Sequence, residues 1–195
     1  KRQEFVEALY PLAGKALLNR NLQVPDPQKA VQELAGDDFY WLIKRLEEDS
    51  GMVLAFASEE QWQYLLDLEL WAKDRLDLSR ALSWIELLQE AAPERLAQWL
   101  FSDGQPLAFY TLFKSIDVWI RDPDNDQEPE SDFITFEGVY YFRVKDSAQR
   151  ASILRTLKAM ADEDQLKYQG LLLGLAGVLP AELEEDMYRM KTVRL

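Results

Sequence analysis

The chain has 195 residues, a formal charge of −13 and 48% apolar residues, with neither Cys nor His. That length suits one domain burying roughly 70% of its unfolded surface, and a composition this aromatic excludes a disordered chain. The acidic balance disfavours nucleic acid and anionic membrane surfaces. Without Cys there is no disulfide or thiolate chemistry, and without His the commonest general base and transition-metal ligand are gone.

A helix is expected over residues 3–18, bent or divided at Pro11, with Phe5, Ala8, Leu9 and Leu12 on its apolar side. Val24-Pro25-Asp26-Pro27 reads as a turn and a helix start, with Asp26 as cap and Pro27 at the first helical position. The short helix through Val31 and Leu34 should end at Gly36 in a left-handed cap.

Residues 37–78 form the stretch on which the other helices are expected to pack. Phe39, Leu42, Ile43 and Leu46 fall at i, i+3, i+4 and i+7, with Asp37 as cap and Gly51 as the break. Ser58 and Gln61 have the spacing of a capping box. From Trp62 to Ala72 the helix is apolar on two sides: Trp62, Leu66 and Leu70 on one, Tyr64, Leu65, Leu68, Trp71 and Ala72 on the other.

Asp77 or Ser79 caps a helix carrying Leu82, Ile85, Leu88 and Ala92, with Trp84 beside the stripe. Pro93 opens one with Leu96, Trp99 and Leu100 inward, closed by Ser102-Asp103-Gly104, and Pro106 opens the next. A period of two then appears in Ile116, Val118 and Ile120. Residues 133–136 and 139–144 are two further strands around a Glu137-Gly138 turn, so a hairpin or three-stranded meander should lean its aromatic face on the helices. Asp146 with Gln149, and Asp162 with Gln165, are spaced as capping boxes for helices through Ile153, Leu154, Leu157 and Met160, and through Leu171, Leu172 and Leu175. Gly170, Gly174 and Gly177 in the latter call for a close neighbouring helix. Pro180 should open the last helix, with Glu182, Glu184 and Glu185 at its positive end.

A weak repeat lays the twelve residues from Ala35 over the twelve from Ala57, and Ala161 to Tyr168 echoes the second copy. Acid-opened helices at such spacing suggest a stacked superhelix. The string QWQYLLDLELWAKDRLDL at 61–78, with DFYWLIKRL upstream and LLLGLAGVLPAELEEDMYR downstream, resembles a bacterial family catalogued as a domain of unknown function. The likeness covers nearly the whole chain. Its members are longer, which together with the absence of a starting Met implies a piece of a longer protein. No activity or site residue is assigned to that family, so none carries over. More distantly, the acid-led helices resemble the N-terminal cytosolic superhelix of the MgtE-type magnesium transporters and the helical modules of the flagellar motor switch, which implies a style of folding and no magnesium handling.

Among polar features, Asp122, Asp124 and Asp126 have the 1-3-5 spacing of a calcium loop. The pattern fails at Gln127, where glycine is needed, and at Phe133, where a bidentate Glu belongs. The loop is therefore expected to be a solvated, mobile connection whose acids stand without bases and which binds no metal tightly. Asp67, Glu69, Asp74 and Asp77, with Lys73 and Arg75 among them, would need a cleft to serve as acid–base pairs. Asp67 lies on the most polar side of its helix, and Asp67 and Glu69 are expected to bond Arg or Tyr. Tyr40, Trp41, Trp62, Trp71, Trp84 and Trp99 are read as core, and Trp119 as the best exposed aromatic contact.

The predicted fold is mainly α: about nine or ten short helices stacked as a superhelix or armadillo-like array. They form a single domain over residues 1–195 with a small β hairpin or meander inserted at about residues 116–145. The longest apolar run, residues 171–179, is far short of the roughly 20 residues of a spanning helix, and a cytoplasmic location is expected. The expected function is a non-enzymatic protein-interaction or regulatory domain, its partner another protein or another domain of the same chain. No nucleic acid, membrane insertion, cofactor, catalytic residue or metal ligand is assigned. The alternative is an acidic-residue enzyme or a Mg- or Ca-responsive domain, which acids converging in a concave pocket would favour.

Overall fold

The computed structural model describes residues 26–124 and 127–195. The helix expected over residues 3–18, Val24, Pro25 and Asp126 lie outside them. Over the described residues the fold is mainly helical, with ten α-helices and two small antiparallel strand pairs. No helix among them is long and apolar enough to cross a membrane.

Helix α1 spans Pro27–Gln32; Asp26 caps it by accepting from the Lys29 N–H, and Pro27 takes the first position. Gly36 does not end this helix but begins α2, Gly36–Leu46, because its missing Cβ lets the Tyr64 ring approach: a built Cβ would lie 2.9 Å from that ring. Asp37 is accordingly not the cap. It sits in the first turn, near the helix's positive end, and accepts instead from the Tyr64 hydroxyl. Phe39, Leu42, Ile43 and Leu46 are all buried, as their spacing predicts.

The break after α2 falls at Glu47, with φ of 48°, and not at Gly51. A 3-10 turn at Glu47–Ser50 leads into α3, Gly51–Phe56, with Gly51 in ordinary helical conformation. Helix α4, Glu59–Glu69, opens with the capping box predicted from Ser58 and Gln61. It stops before Ala72, because Trp71–Ala72 (β1) pairs with Arg75–Leu76 (β2) around Lys73 at φ of 64°. Trp62, Leu65, Leu66 and Leu70 are buried while Leu68 faces out, so α4 is covered on one side and part of the next.

Helices α5 (Leu78–Ala91), α6 (Pro93–Leu100) and α7 (Gln105–Ser115) follow as the apolar stripes and prolines predict, with Asp77 accepting from the Ser79 and Arg80 N–H groups. Helix α6 packs on α8, Arg150–Glu163, and Leu96, Ala97, Leu157 and Met160 of this pair are buried, as are Trp62, Leu65 and Leu66 of α4. At the centre Trp62 meets Trp99 edge to face at 6.3 Å. Trp62 Nε1 donates to the Leu54 carbonyl at 2.9 Å. The Arg95 guanidinium lies over the Trp62 ring at 4.1 Å and donates to the Ala55 and Ala57 carbonyls, closing the C-terminal end of α3.

Strands β3 (Ile116–Ile120) and β4 (Tyr140–Val144) pair antiparallel, Ile116 opposite Val144. The third strand of the expected meander is reduced to one bridge, Ile134 with Phe142. Gly138, at φ of 82°, makes the turn, and the Thr135 hydroxyl oxygen accepts from its N–H. The aromatic lean on the helices is present: Phe142 packs on Phe136, and Phe136 on Tyr168 of α9, Gln165–Leu175.

Both later capping boxes are displaced. Asp146 caps a 3-10 turn at Ser147–Gln149, and Asp164, not Asp162, caps α9 by accepting from the Lys167 N–H. Of the three glycines in this region, Gly174 alone receives a large neighbour, Phe109; Gly170 faces open space and Gly177 meets only backbone. The last helix, α10, runs Leu183–Arg194, three residues past Pro180, with Glu184, Glu185 and Asp186 in its first turn.

Candidate functional site

A groove of about 760 Å³ lies between α4 and α10. Helix α4 supplies one wall because Gln63, Leu66, Asp67 and Leu70 recur at three- and four-residue spacing. Helix α10 supplies the other with Leu183, Met187, Met190 and Arg194, again one stripe. Trp99, Leu107 and Leu66 form the floor. Gly104 seats against the Trp99 ring so closely that a Cβ there would stand 2.5 Å from it.

Helix α10 buries no residue completely and is held by a few specific contacts. The Leu76 N–H donates to Glu184 Oε1 at 2.8 Å. Tyr188 packs edge-on against Trp71 at 5.4 Å, and the Lys191 ammonium lies 5.4 Å from the same ring. Arg194 donates from Nε and Nη2 to the two oxygens of Asp67, at 2.6 and 2.8 Å. Asp67 is 3% exposed, so it is not on a polar outer side of α4. The reason is tertiary: α10 folds back over that face and brings the guanidinium a buried carboxylate requires.

The rim is acidic. Glu59 and Glu60 stand at the start of α4, Asp103 in the turn before α7, and Asp186 on α10. With Asp67, five carboxylates of the described residues line the groove; Arg194 answers Asp67, and Arg189 lies 3.6 Å from Asp186. The N–H groups at the start of α4 and the Ser58 hydroxyl hold Glu60 below the usual carboxylate range, so it is charged at neutral pH. These acids are spread around the opening, and among the described residues no three of them come together as a metal site would require.

The other predicted features lie elsewhere. Glu69 accepts from the Tyr40 hydroxyl at 2.9 Å, a tyrosine partner as expected, and also pairs with Lys44 at 3.1 Å, which was not expected; burial first, then the Glu69 contact, raises Tyr40 above its ordinary value. Asp77 is a cap, held low by the Arg80 N–H first of all, and Asp74 is exposed in the β1–β2 turn region. The acids of the 122–132 loop do not stand without bases: Arg143 pairs with Glu130 at 2.7 Å, Asp132 at 3.4 Å and Asp117 at 3.0 Å, and Arg121 lies 3.8 Å from Glu128. Asp124 donates its N–H to Asp122, a turn contact and not a ligand cage. Gln127 and Phe133 occupy the two positions at which the calcium pattern fails.

Among the aromatics, Trp62 and Trp99 are core, Tyr40, Trp71 and Trp84 are half-buried, and Trp41 is 59% exposed. Trp119 is half-buried and meets Tyr141 edge to face at 5.3 Å, away from the groove. The residues missed by sequence reasoning are Met187, Met190 and Arg194; their spacing from Leu183 at i+4, i+7 and i+11 is the signal that a groove wall was written there.

A family model described as a family of unknown function, DUF6178, matches residues 1–195, and the chain belongs to that family. No curated protein matches the chain and no solved structure does. The likeness to the magnesium-transporter superhelix thus rests on the sequence pattern alone.

Proposed function

We propose that this member of the family is a non-enzymatic interaction domain, holding a segment of another protein, or of another domain of its own chain, in the groove between α4 and α10. One observation carries the reading: the groove has an apolar floor and a charged rim, the layout of a contact surface with a desolvated centre. Its one buried carboxylate, Asp67, is already committed to Arg194, which leaves no pair of carboxylates with split environments for acid–base work. Against a cation-responsive reading, no three of the rim acids come together among the described residues.

A photo-reactive residue at Met190, which is 55% exposed on the groove wall, tests this in the native host. Adducts to a protein segment should form there and not from the same residue placed at Val178, which is exposed and does not line the groove. Equal labelling from both positions would remove the groove as the contact surface.

A further inference from the structure

We infer that the occupant of this groove is a basic amphipathic helix, its apolar face on Leu183, Met187 and Met190 and its Lys or Arg side chains on Glu59, Glu60, Asp103 and Asp186. This rests on the interaction reading above and adds the chemistry of the partner. Charge complementarity selects the occupant. Among the described residues Arg194 is held on Asp67 at 2.6 Å, the exposed Arg189 lies 3.6 Å from Asp186 and Arg95 feels the charge of Glu59, so the groove's five carboxylates stay in excess over these guanidiniums and present a negative rim to whatever enters. An acidic segment would meet that excess of like charge, and a second copy of this chain brings a formal charge of −13 to the contact.

The walls are themselves helices, and their lining residues recur every three or four positions over two to three turns. That matches the i, i+3, i+4, i+7 anchors of a third helix laid between them. Two methionines on one wall supply the unbranched, polarizable side chains that adapt to such an anchor. The wall that carries them, α10, buries none of its own residues completely, so both methionines stay within reach of an occupant.

Three labelled helical peptides of about 18 residues, or five turns, distinguish the possibilities by fluorescence anisotropy with the 195-residue chain. All carry the same leucine face; the polar face is lysine in one, glutamine in the second and glutamate in the third. The lysine peptide should bind at least about tenfold more tightly than the glutamine peptide and weaken as salt rises from about 50 to about 200 mM, while the glutamate peptide should not bind. Glu60→Lys with Asp186→Lys, both at exposed positions, should cost the lysine peptide about tenfold and turn the preference toward glutamate. Met190→Asp should abolish binding of every peptide, with an unchanged circular dichroism melt. Equal affinity for lysine and glutamine faces, lost in Met190→Asp, overturns the basic occupant and leaves the interaction reading standing. Binding of none of the three overturns both. A dimer in sedimentation that Met190→Asp dissociates assigns the groove to a second copy and overturns the inference.

Discussion

Asp67 and Arg194 sit 127 residues apart in sequence and share two charge-assisted hydrogen bonds of 2.6 and 2.8 Å. Their environments differ: the Asp67 side chain is 4% exposed and that of Arg194 35%. Removing the arginine strands a buried carboxylate, whereas removing the carboxylate leaves a guanidinium that can turn to water. Arg194→Ala should therefore cost about 1–3 kcal/mol in urea melts and more than Asp67→Asn. Equal costs would show that burial of the carboxylate is not what the pair resolves. Gly104 is the second residue whose role is set by a single neighbour. A methyl group there enters the Trp99 ring, 2.5 Å from its nearest atom, so Gly104→Ala should destabilise by about 1–3 kcal/mol and perturb Trp99 fluorescence. The opposite case is Gly170, where nothing stands within 4 Å and alanine meets no neighbour.

Helix starts are where local chemistry prevails. Asp77 and Asp164 accept backbone N–H groups at the openings of α5 and α9, chiefly those of Arg80 and Lys167, and both carboxyls are lowered by those bonds. A lowered carboxylate adds stability that is full above its unfolded value and is lost as pH falls through its folded value. The acid limb of the Tm–pH curve should flatten in the Asp77→Asn, Asp164→Asn double variant, with no change in slope above pH about 6. An unchanged acid limb would show that the caps do not couple to global unfolding. The hairpin element behaves differently from its sequence reading because Arg143 draws Glu130 and Asp132 of the 122–132 segment, with Asp117 of β3, to one guanidinium. Calorimetry with calcium should give no saturable binding in the micromolar range, and Arg143→Ala, which frees Glu130 and Asp132, is the variant in which weak binding would first show.

For the molecule as a whole, stability should follow burial and not aromatic size. Leu66 is 1% exposed beneath the groove, and its truncation to Ala should cost about 2–5 kcal/mol through lost transfer energy and a cavity. Trp71 is half-buried under Tyr188, so Trp71→Ala should cost less than Leu66→Ala despite the larger side chain removed, and should loosen α10 selectively. Hydrogen exchange confined to residues 183–194 in that variant would place α10 as a separately opening unit; uniform loss of protection would not. The groove then has one rigid wall, α4, tied to α1 by the Gln61 amide on the Val31 and Leu34 carbonyls, and one wall that can give.

Reading the residues alone was enough for the mainly helical class, the stripe of α2, the capping box of α4, the proline-opened α6 and α7, and the tyrosine partner of Glu69. All of these depend on contacts within a few residues or on a 3.6-residue period, and short-range geometry writes them directly into the chain. Gly36, Gly51, Asp37 and Pro180 were misread for the converse reason. Their local preferences were overridden by the Tyr64 ring, by a break at Glu47 and by a helix start three residues past the proline. The groove was invisible because it is a relation between α4 and α10, separated by more than a hundred residues. An Arg or Tyr partner for Asp67 was expected and Arg194 is one, but the burial of Asp67, which arginine reaches it and the acidic rim exist only once chain return has brought those helices together, and no periodicity within either helix encodes that distance.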